Sequence, residues 1–122
     1  EDDVKRLLAD AGIVRHRGKI EATLNNAHAV RSVIAKHGSF AAFVWAFEPS
    51  AASATPIPSQ TPDSVKLSKA LKAHGFRFVG PTTCYAFMQA MGLVNDHLPA
   101  CWVRAEVDAA RAAFVRPGAR AG

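Results

Sequence analysis

The chain has 122 residues, and its 15 lysines and arginines against 10 aspartates and glutamates give a formal net charge of +5. This length suits one small domain, and a hydrophobic fraction of 49% is typical of a globular rather than a disordered chain. The 24 alanines favour helices around a modest core, and no run approaches the roughly 20 apolar residues of a membrane helix, which excludes a spanning segment.

Apolar residues at helical spacing predict two helices in the first third of the chain. The first begins at Asp2 and Asp3, where the helix dipole favours negative charge, and it ends at Gly12. The second ends at Gly38. The predicted inward residues are Val4, Leu7, Leu8 and Ala11 in the first helix and Ile20, Leu24, Ala27, Val30 and Ile34 in the second. The segment AGIVRHRG leaves room only for a tight hairpin between them.

Start and stop residues predict three further helices. The third follows Ser39, a good N-cap. The fourth lies between Thr61 and Gly75, and the fifth between Pro81 and Gly92. Their expected inward residues are Phe40, Phe43, Val44 and Phe47, then Leu67, Ala70 and Leu71, then Cys84, Phe87, Met88 and Met91. A proline-rich loop, EPSAASATPIPSQ, separates the third helix from the fourth.

The remaining residues, 104–122, are rich in Ala and Arg and are expected to fray. The sequence therefore predicts an all-α bundle of about five helices, with a domain over 1–103 and a tail over 104–122. The chain begins at Glu1 with no basic-then-apolar leader, so no secretory signal is predicted in it. An acidic start without Met indicates a piece of a longer protein. Two cysteines cannot form a disulfide framework, so they fit a reducing compartment and predict a cytoplasmic protein.

The hairpin is the most informative local feature, because it places Arg15, Arg17 and Lys19 at the start of a helix. Backbone N–H groups at a helix N-terminus bind anions, and the dipole there favours phosphate. Gly12 and Gly18 would let a sugar–phosphate chain approach the backbone closely. The spacing alone supports a second interpretation equally well, in which the basic turn is only a solvated connection between two packed helices and binds no phosphate. A second basic stretch is interpreted as a solvated face: Lys66, Lys69, Lys72 and Arg77.

His97 and Cys101 have the H-x3-C spacing at which imidazole and thiolate can reach one zinc ion. A structural zinc site uses four ligands, so the pair is half a site, and composition alone favours a chance pair. Cys84 is most simply a small core residue. Tyr85 and Trp45 lie off the apolar stripes of their helices and could line a groove. The sequence shows no Ser/His/Asp set, no Walker loop and no pair of acids placed for glycosidic chemistry.

Two runs of sequence are more specific than any periodicity. DAGIVRHRGKI, with NNA following, and LSKALKAHGFRFVGPTTCYAFMQAMGLVNDH, with FVWAF between them, resemble the DNA-3-methyladenine glycosylase I family over residues 1 to 101. The resemblance implies an all-α, helix–hairpin–helix glycosylase that excises 3-methyladenine. Its implied partner is double-stranded DNA containing alkylated bases, with no membrane involved, and the protein is expected to be a monomer.

The resemblance also implies roles for individual residues. The DNA-binding hairpin would consist of Gly12, Ile13, His16, Arg17, Gly18 and Lys19. His97 and Cys101 match two of the four ligands of the family's structural zinc site, whose other Cys and His come from near the N-terminus of the full-length protein. Tyr85 and Ala86 would form a wall of the base pocket, where the family often has a hydroxyl residue in place of Ala86. The pocket's aromatic residues and carboxylate are absent, so no catalytic residue is assigned and an inactive fragment is expected.

The chemistry of the lesion explains why no strong catalytic motif is needed. The base must first be flipped out of the stack. Methylation at N3 leaves adenine cationic, so the glycosidic bond is already weak and the base departs neutral. A pocket that favours the cationic lesion, with water attack on the sugar, can then suffice. We expect a monofunctional hydrolase without lyase activity, in which Lys19 and Lys69 are phosphate or surface contacts.

Two other functions stay open at this point. A non-catalytic helix–hairpin–helix module would bind the DNA backbone without excising a base. A small helical interaction protein would carry the basic turn only incidentally.

Overall fold

The structure is a computed structural model that describes residues 1–50 and 55–118. Over these residues the chain forms six helices and no strand, which confirms the predicted all-α class. The helices are α1 (Asp2–Ala9), α2 (Arg17–His37), α3 (Phe40–Trp45), α4 (Pro62–Ala73), α5 (Pro81–Met91) and α6 (Arg104–Ala113). Within the described residues, no helix is both long and apolar enough to traverse a bilayer.

Polar residues cap the helices where the sequence predicts starts. The hydroxyl of Ser39 accepts a hydrogen bond from the N–H of Ala42 at 2.9 Å, at the start of α3. Thr61 and Ser64 form a reciprocal capping box at the start of α4, where each side-chain oxygen accepts from the other's backbone N–H. Gly92 ends α5 in the left-handed conformation, with φ 80°. These local bonds fix where the helices begin and end.

The core lies where α2, α3, α4 and α5 meet. Its buried members are Ala29, Val33, Phe43, Val44, Leu67, Leu71, Phe76, Cys84, Tyr85, Met88, Leu93 and Val94. Cys84 is therefore confirmed as a core residue. Burial raises the pKa of its thiol, which keeps the sulfur protonated and chemically inert at neutral pH.

The buried face of α2 differs from the predicted stripe. Ile20, Ala29 and Val33 are buried, whereas Leu24 and Ile34 are 47% and 43% exposed. Alanine and β-branched residues lie on several sides of this 21-residue helix, so more than one stripe at helical spacing fits the sequence. The predicted stripe is confirmed at Ile20 and partly at Val30, which packs against the core, and it is wrong at the exposed Leu24, Ala27 and Ile34.

The buried face of α5 also differs from the prediction. Tyr85, predicted to point away from the core, is 1% exposed, and Met91, predicted to point inward, is 54% exposed. Tyr85 can be buried because its hydroxyl donates a hydrogen bond to the carboxylate of Asp96. The side-chain amide of Gln89 donates to the same carboxylate at 2.8 Å. A polar partner beyond the end of α5 thus decides which side of the helix packs inward.

The expectation that residues 104–122 fray is wrong for residues 104–118, the part of this segment that the structure describes. Residues Arg104–Ala113 form α6, a sixth helix, and the chain then turns back toward α3. Residues 119–122 lie outside the described residues, so the expectation is not addressed for them.

Residues 111–118, here called the C-terminal strap, are attached to the bundle through Glu48. Arg111 and Arg116 donate hydrogen bonds to this carboxylate at 2.9 and 2.8 Å. The guanidinium of Arg116 also lies 5.4 Å from the ring centroid of Trp45, within the range of a cation–π contact. The hydrogen bond from Arg116 holds the pKa of the Glu48 carboxyl below its ordinary value, against burial, which raises it.

Candidate nucleic-acid interface

The predicted hairpin is a turn of residues 10–16 between α1 and α2. The first helix ends at Ala9 rather than at Gly12, because the carboxylate of Asp10 accepts a hydrogen bond from the N–H of Gly12 at 2.8 Å and reverses the chain. Ile13 follows in the turn and is 41% exposed. The turn therefore presents both backbone and an apolar side chain to solvent.

The second helix begins with an unusual cap, the imidazole of His16. Its Nδ1 accepts a hydrogen bond from the N–H of Lys19 at 3.1 Å. A Cβ added at Gly18 would lie 3.1 Å from Cε1 of this ring, so glycine at this position leaves the imidazole room to cap the helix. The sequence predicted a functional use for both residues, and the structure places them in contact.

Positive side chains surround the start of α2. Arg15, Arg17 and Lys19 are all exposed. The guanidinium of Arg17 lies 3.3 Å from the carboxylate of Glu21, which offsets part of its charge. Within residues 1–50 and 55–118, Arg15 and Lys19 form no ion pair. Because the helix dipole adds partial positive charge at the same place, the arrangement can bind a phosphate group.

Two asparagines of α2 join this surface to the loop between α4 and α5. Asn25 donates to the carbonyl of Gly75 at 2.7 Å. Asn26 bonds both backbone groups of Arg77, donating to its carbonyl and accepting from its N–H, each at 2.9 Å. The next residue, Phe78, has a φ of 58° and is 57% exposed. The sequence did not lead us to predict these contacts. The two consecutive asparagines of the NNA run were the only sequence signal that could have indicated them.

The two predicted zinc ligands lie near the start of α6. His97 is exposed and Cys101 is half-buried. Nδ1 of His97 lies 2.7 Å from Oδ1 of Asn95, and the guanidinium of Arg104 donates to the His97 carbonyl. With Nδ1 bonded to an amide oxygen, Nε2 is the nitrogen that could bind a metal. Among the described residues, no three His, Cys, Asp or Glu side chains group closely enough to hold a metal ion.

The predicted wall of the base pocket divides between core and surface. Ala86 lines a hollow of about 660 Å³ together with Gln89 of the same helix, His97 and, from α6, Val107. Tyr85 lies in the core instead, as described above. The structure therefore brings a predicted wall residue and a predicted metal ligand to one hollow.

Comparison with known proteins gives a consistent result. The sequence model of the methyladenine glycosylase family matches residues 1–105 of this chain. DNA-3-methyladenine glycosylase 1 of Escherichia coli K12 is 52% identical over 107 residues, which cover 83% of this chain and 57% of that protein. The DNA-3-methyladenine glycosylase of Haemophilus influenzae is 43% identical over 105 residues, covering 81% of this chain and 57% of the relative.

Solved structures agree with the sequence comparisons. A crystal structure of 3-methyladenine DNA glycosylase I superposes with a TM-score of 0.75 at 52% identity, covering 83% of this chain and 59% of that chain. The glycosylase from Staphylococcus aureus, solved to explain 3-methyladenine recognition, gives 0.78 at 33% identity, covering 84% and 58%. The present chain thus spans somewhat more than half the length of these relatives. It belongs to the methyladenine glycosylase family.

Proposed function

We propose that this chain is the DNA-binding portion of a base-excision repair glycosylase that hydrolyses the N-glycosidic bond of 3-methyladenine in alkylated DNA. The observation that carries the proposal is the cluster of Arg15, Arg17 and Lys19 at the start of α2, in a chain of this family. The names of the relatives support the choice of lesion. Because the chain covers 57% of these relatives, we assign the reaction to the whole enzyme and expect no base release from the 122 residues alone.

The turn and the start of α2 would act as a helix–hairpin–helix contact to one strand of a DNA duplex, made by a single copy of the protein. Phosphate oxygens would accept hydrogen bonds from backbone N–H groups and from the basic side chains around them. The residues in this role are Gly12, Ile13, His16, Arg17, Gly18 and Lys19. Such contacts position the duplex and do not read its sequence, as a repair enzyme that surveys DNA requires.

The lesion would be handled away from this contact, in a pocket that receives the flipped base. Within this chain, the hollow beside Ala86 is the candidate for one wall of that pocket. N3-methylation makes the base a good neutral leaving group, so attack of water at the sugar needs no lysine nucleophile. Lys19 is assigned to phosphate, in keeping with hydrolysis rather than lyase chemistry.

The DNA contact is tested by the salt dependence of binding. Arg17→Ala and Lys19→Ala are each expected to make the negative slope of log affinity against log salt shallower by about 1, because each removes one phosphate contact. The measurement is fluorescence anisotropy of a labelled, lesion-free duplex titrated with the 122-residue protein.

Lys36→Ala is the matched control for this experiment. Lys36 lies on the same helix as Lys19, about 25 Å further along its axis, so its removal should leave the slope unchanged. Equal slopes for Arg17→Ala, Lys19→Ala and the unaltered protein would show that the hairpin does not hold phosphate, and the proposed function would then lose its support.

We also propose that His97 and Cys101 supply two ligands of a structural zinc site. The support is an exposed imidazole, whose Nδ1 is already bonded to Asn95, four residues before a half-buried thiol. Two ligands do not close a tetrahedral site, so the 122 residues alone should bind zinc weakly or not at all.

In a full-length glycosylase that carries this chain, His97→Ala or Cys101→Ala is expected to remove the bound zinc. The measurement is metal content by mass spectrometry after gel filtration. Cys84→Ala, which changes a buried thiol of the core, is the control that should retain the metal. One zinc per protein surviving both ligand substitutions would exclude the assignment.

A further inference from the structure

Phe78 is an exposed aromatic residue in a backbone conformation that its residue type rarely adopts. Its φ is 58° and its surface is 57% exposed. For a bulky side chain the left-handed region is strained, and it persists only where the surroundings impose it. More than half of the residue's surface faces water, so contacts within the fold account for only part of its placement.

The surroundings do impose this conformation. Asn26 bonds the N–H and the carbonyl of Arg77, and Asn25 bonds the carbonyl of Gly75, so α2 holds the loop backbone on the N-terminal side of Phe78. Phe76 is 8% exposed and its ring stacks on Phe40, which anchors the same loop in the core. The loop therefore directs one phenylalanine into the core and the other outward.

The outward ring lies against the hairpin. Its centroid is 6.1 Å from that of His16, in an edge-on arrangement. A Cβ built at Gly18 would stand 3.8 Å from Cζ of Phe78, so the ring reaches the first turn of α2. That turn also carries the first N–H groups of the helix and the exposed residue Lys19.

An exposed aromatic ring beside a basic helix end is a combination that nucleic-acid-binding proteins use. Phosphate contacts hold the backbone, and aromatic rings add stacking or apolar contact with the adjoining sugar and base. We propose that Phe78 is a DNA contact of this protein, which packs its ring against the nucleotide adjoining the phosphate held by the hairpin. This inference rests on the proposed function, since it requires the hairpin to hold DNA.

The test separates an apolar contact from a charged one. Phe78→Ala is expected to weaken binding of the 122-residue protein to a lesion-free duplex by about 10-fold at every salt concentration. The slope against log salt should stay unchanged, because the ring releases no counterions. Phe78→Tyr, which keeps the ring, should restore most of the affinity. Trp102→Ala, which removes an 81% exposed aromatic ring on the turn before α6, should have no effect.

Each outcome has a distinct meaning. Unchanged affinity of Phe78→Ala would overturn the inference while leaving the proposed function in place. If the affinity fell and the salt slope also became shallower, phosphate contacts would have been lost with the ring. The ring would then act only by holding the hairpin in place, and a direct contact would be ruled out. If the unaltered protein bound no duplex at all, the proposed function itself would fail and the inference with it.

Discussion

Replacing Glu48 by glutamine is expected to release the C-terminal strap from the bundle. The substitution keeps the size of the side chain but removes the charge that Arg111 and Arg116 share, and both guanidinium groups lie within 3.0 Å of it. Hydrogen bonds between charged groups contribute about 1.5–3 kcal/mol each, and part of the loss is recovered when the strap becomes hydrated. Because both pairs lie close to solvent, screening reduces the loss further, and we expect a melting temperature lower by about 5 °C.

The effect of Glu48 should depend on pH. Its pKa is held below the ordinary value, chiefly by the hydrogen bond from Arg116, so the ionised carboxylate stabilises the folded state. That stabilisation is complete above pH 4.5, the ordinary pKa of the group, and is lost as the pH falls through the lowered pKa. The difference in stability between the unaltered protein and Glu48→Gln should therefore shrink below pH 4.5.

Glu106→Gln is the matched control, because Glu106 is exposed in the first turn of α6. It should change the melting temperature little at any pH. Circular dichroism during thermal unfolding measures both variants, and hydrogen exchange over residues 104–118 reports attachment of the strap. Equal melting temperatures for Glu48→Gln and the unaltered protein at neutral pH would show that the ion pairs do not hold the strap.

Replacing Asn26 by alanine is expected to free the loop between α4 and α5. The side chain makes two hydrogen bonds to the backbone of Arg77, and an intramolecular hydrogen bond contributes about 1 kcal/mol to stability. A loss of about 2 kcal/mol is expected, together with weaker DNA binding, since Phe78 would no longer be held beside the hairpin. Urea unfolding and the anisotropy titration measure the two effects on the same protein.

Asn26→Asp distinguishes the two bonds. It keeps an oxygen that can accept from the N–H of Arg77, but it loses the donor and sets a negative charge against the carbonyl. We expect it to be no more stable than Asn26→Ala. Thr23→Ala, which removes an exposed hydroxyl that bonds within α2, is the control for helix content. Full stability and full DNA affinity in Asn26→Ala would contradict this account of the loop.

Local sequence signals predicted the parts of the fold that local bonds determine. Ser39, Thr61 and Gly92 mark helix ends because their partners lie within a few residues. The turn after α1 was predicted for the same reason, because its glycine and basic residues lie within one short segment. Spacing alone left this turn undecided between solvation and phosphate binding, and the resemblance to a family gave it a role.

Partners distant in sequence explain what was missed. The strap depends on Glu48, 63 and 68 residues before the two arginines that bind it. Tyr85 packs inward because its hydroxyl donates a hydrogen bond to Asp96, which lies beyond the end of α5. No sequence pattern predicts that Phe78 is exposed, because its orientation follows from the hydrogen bonds that Asn26 makes to the preceding residue, Arg77. Periodicity reports on one helix at a time and cannot foresee these contacts.

The bonds from Asn25 and Asn26 span 50 and 51 residues, so they bear on the order of events during synthesis. A ribosome completes the turn and α2 well before it adds Arg77, and the loop can be drawn onto α2 only after the intervening chain has been made. The emerging protein would present a charged hairpin without the aromatic ring beside it. Recognition of a duplex by both features would therefore arise late, once α4 and α5 have packed.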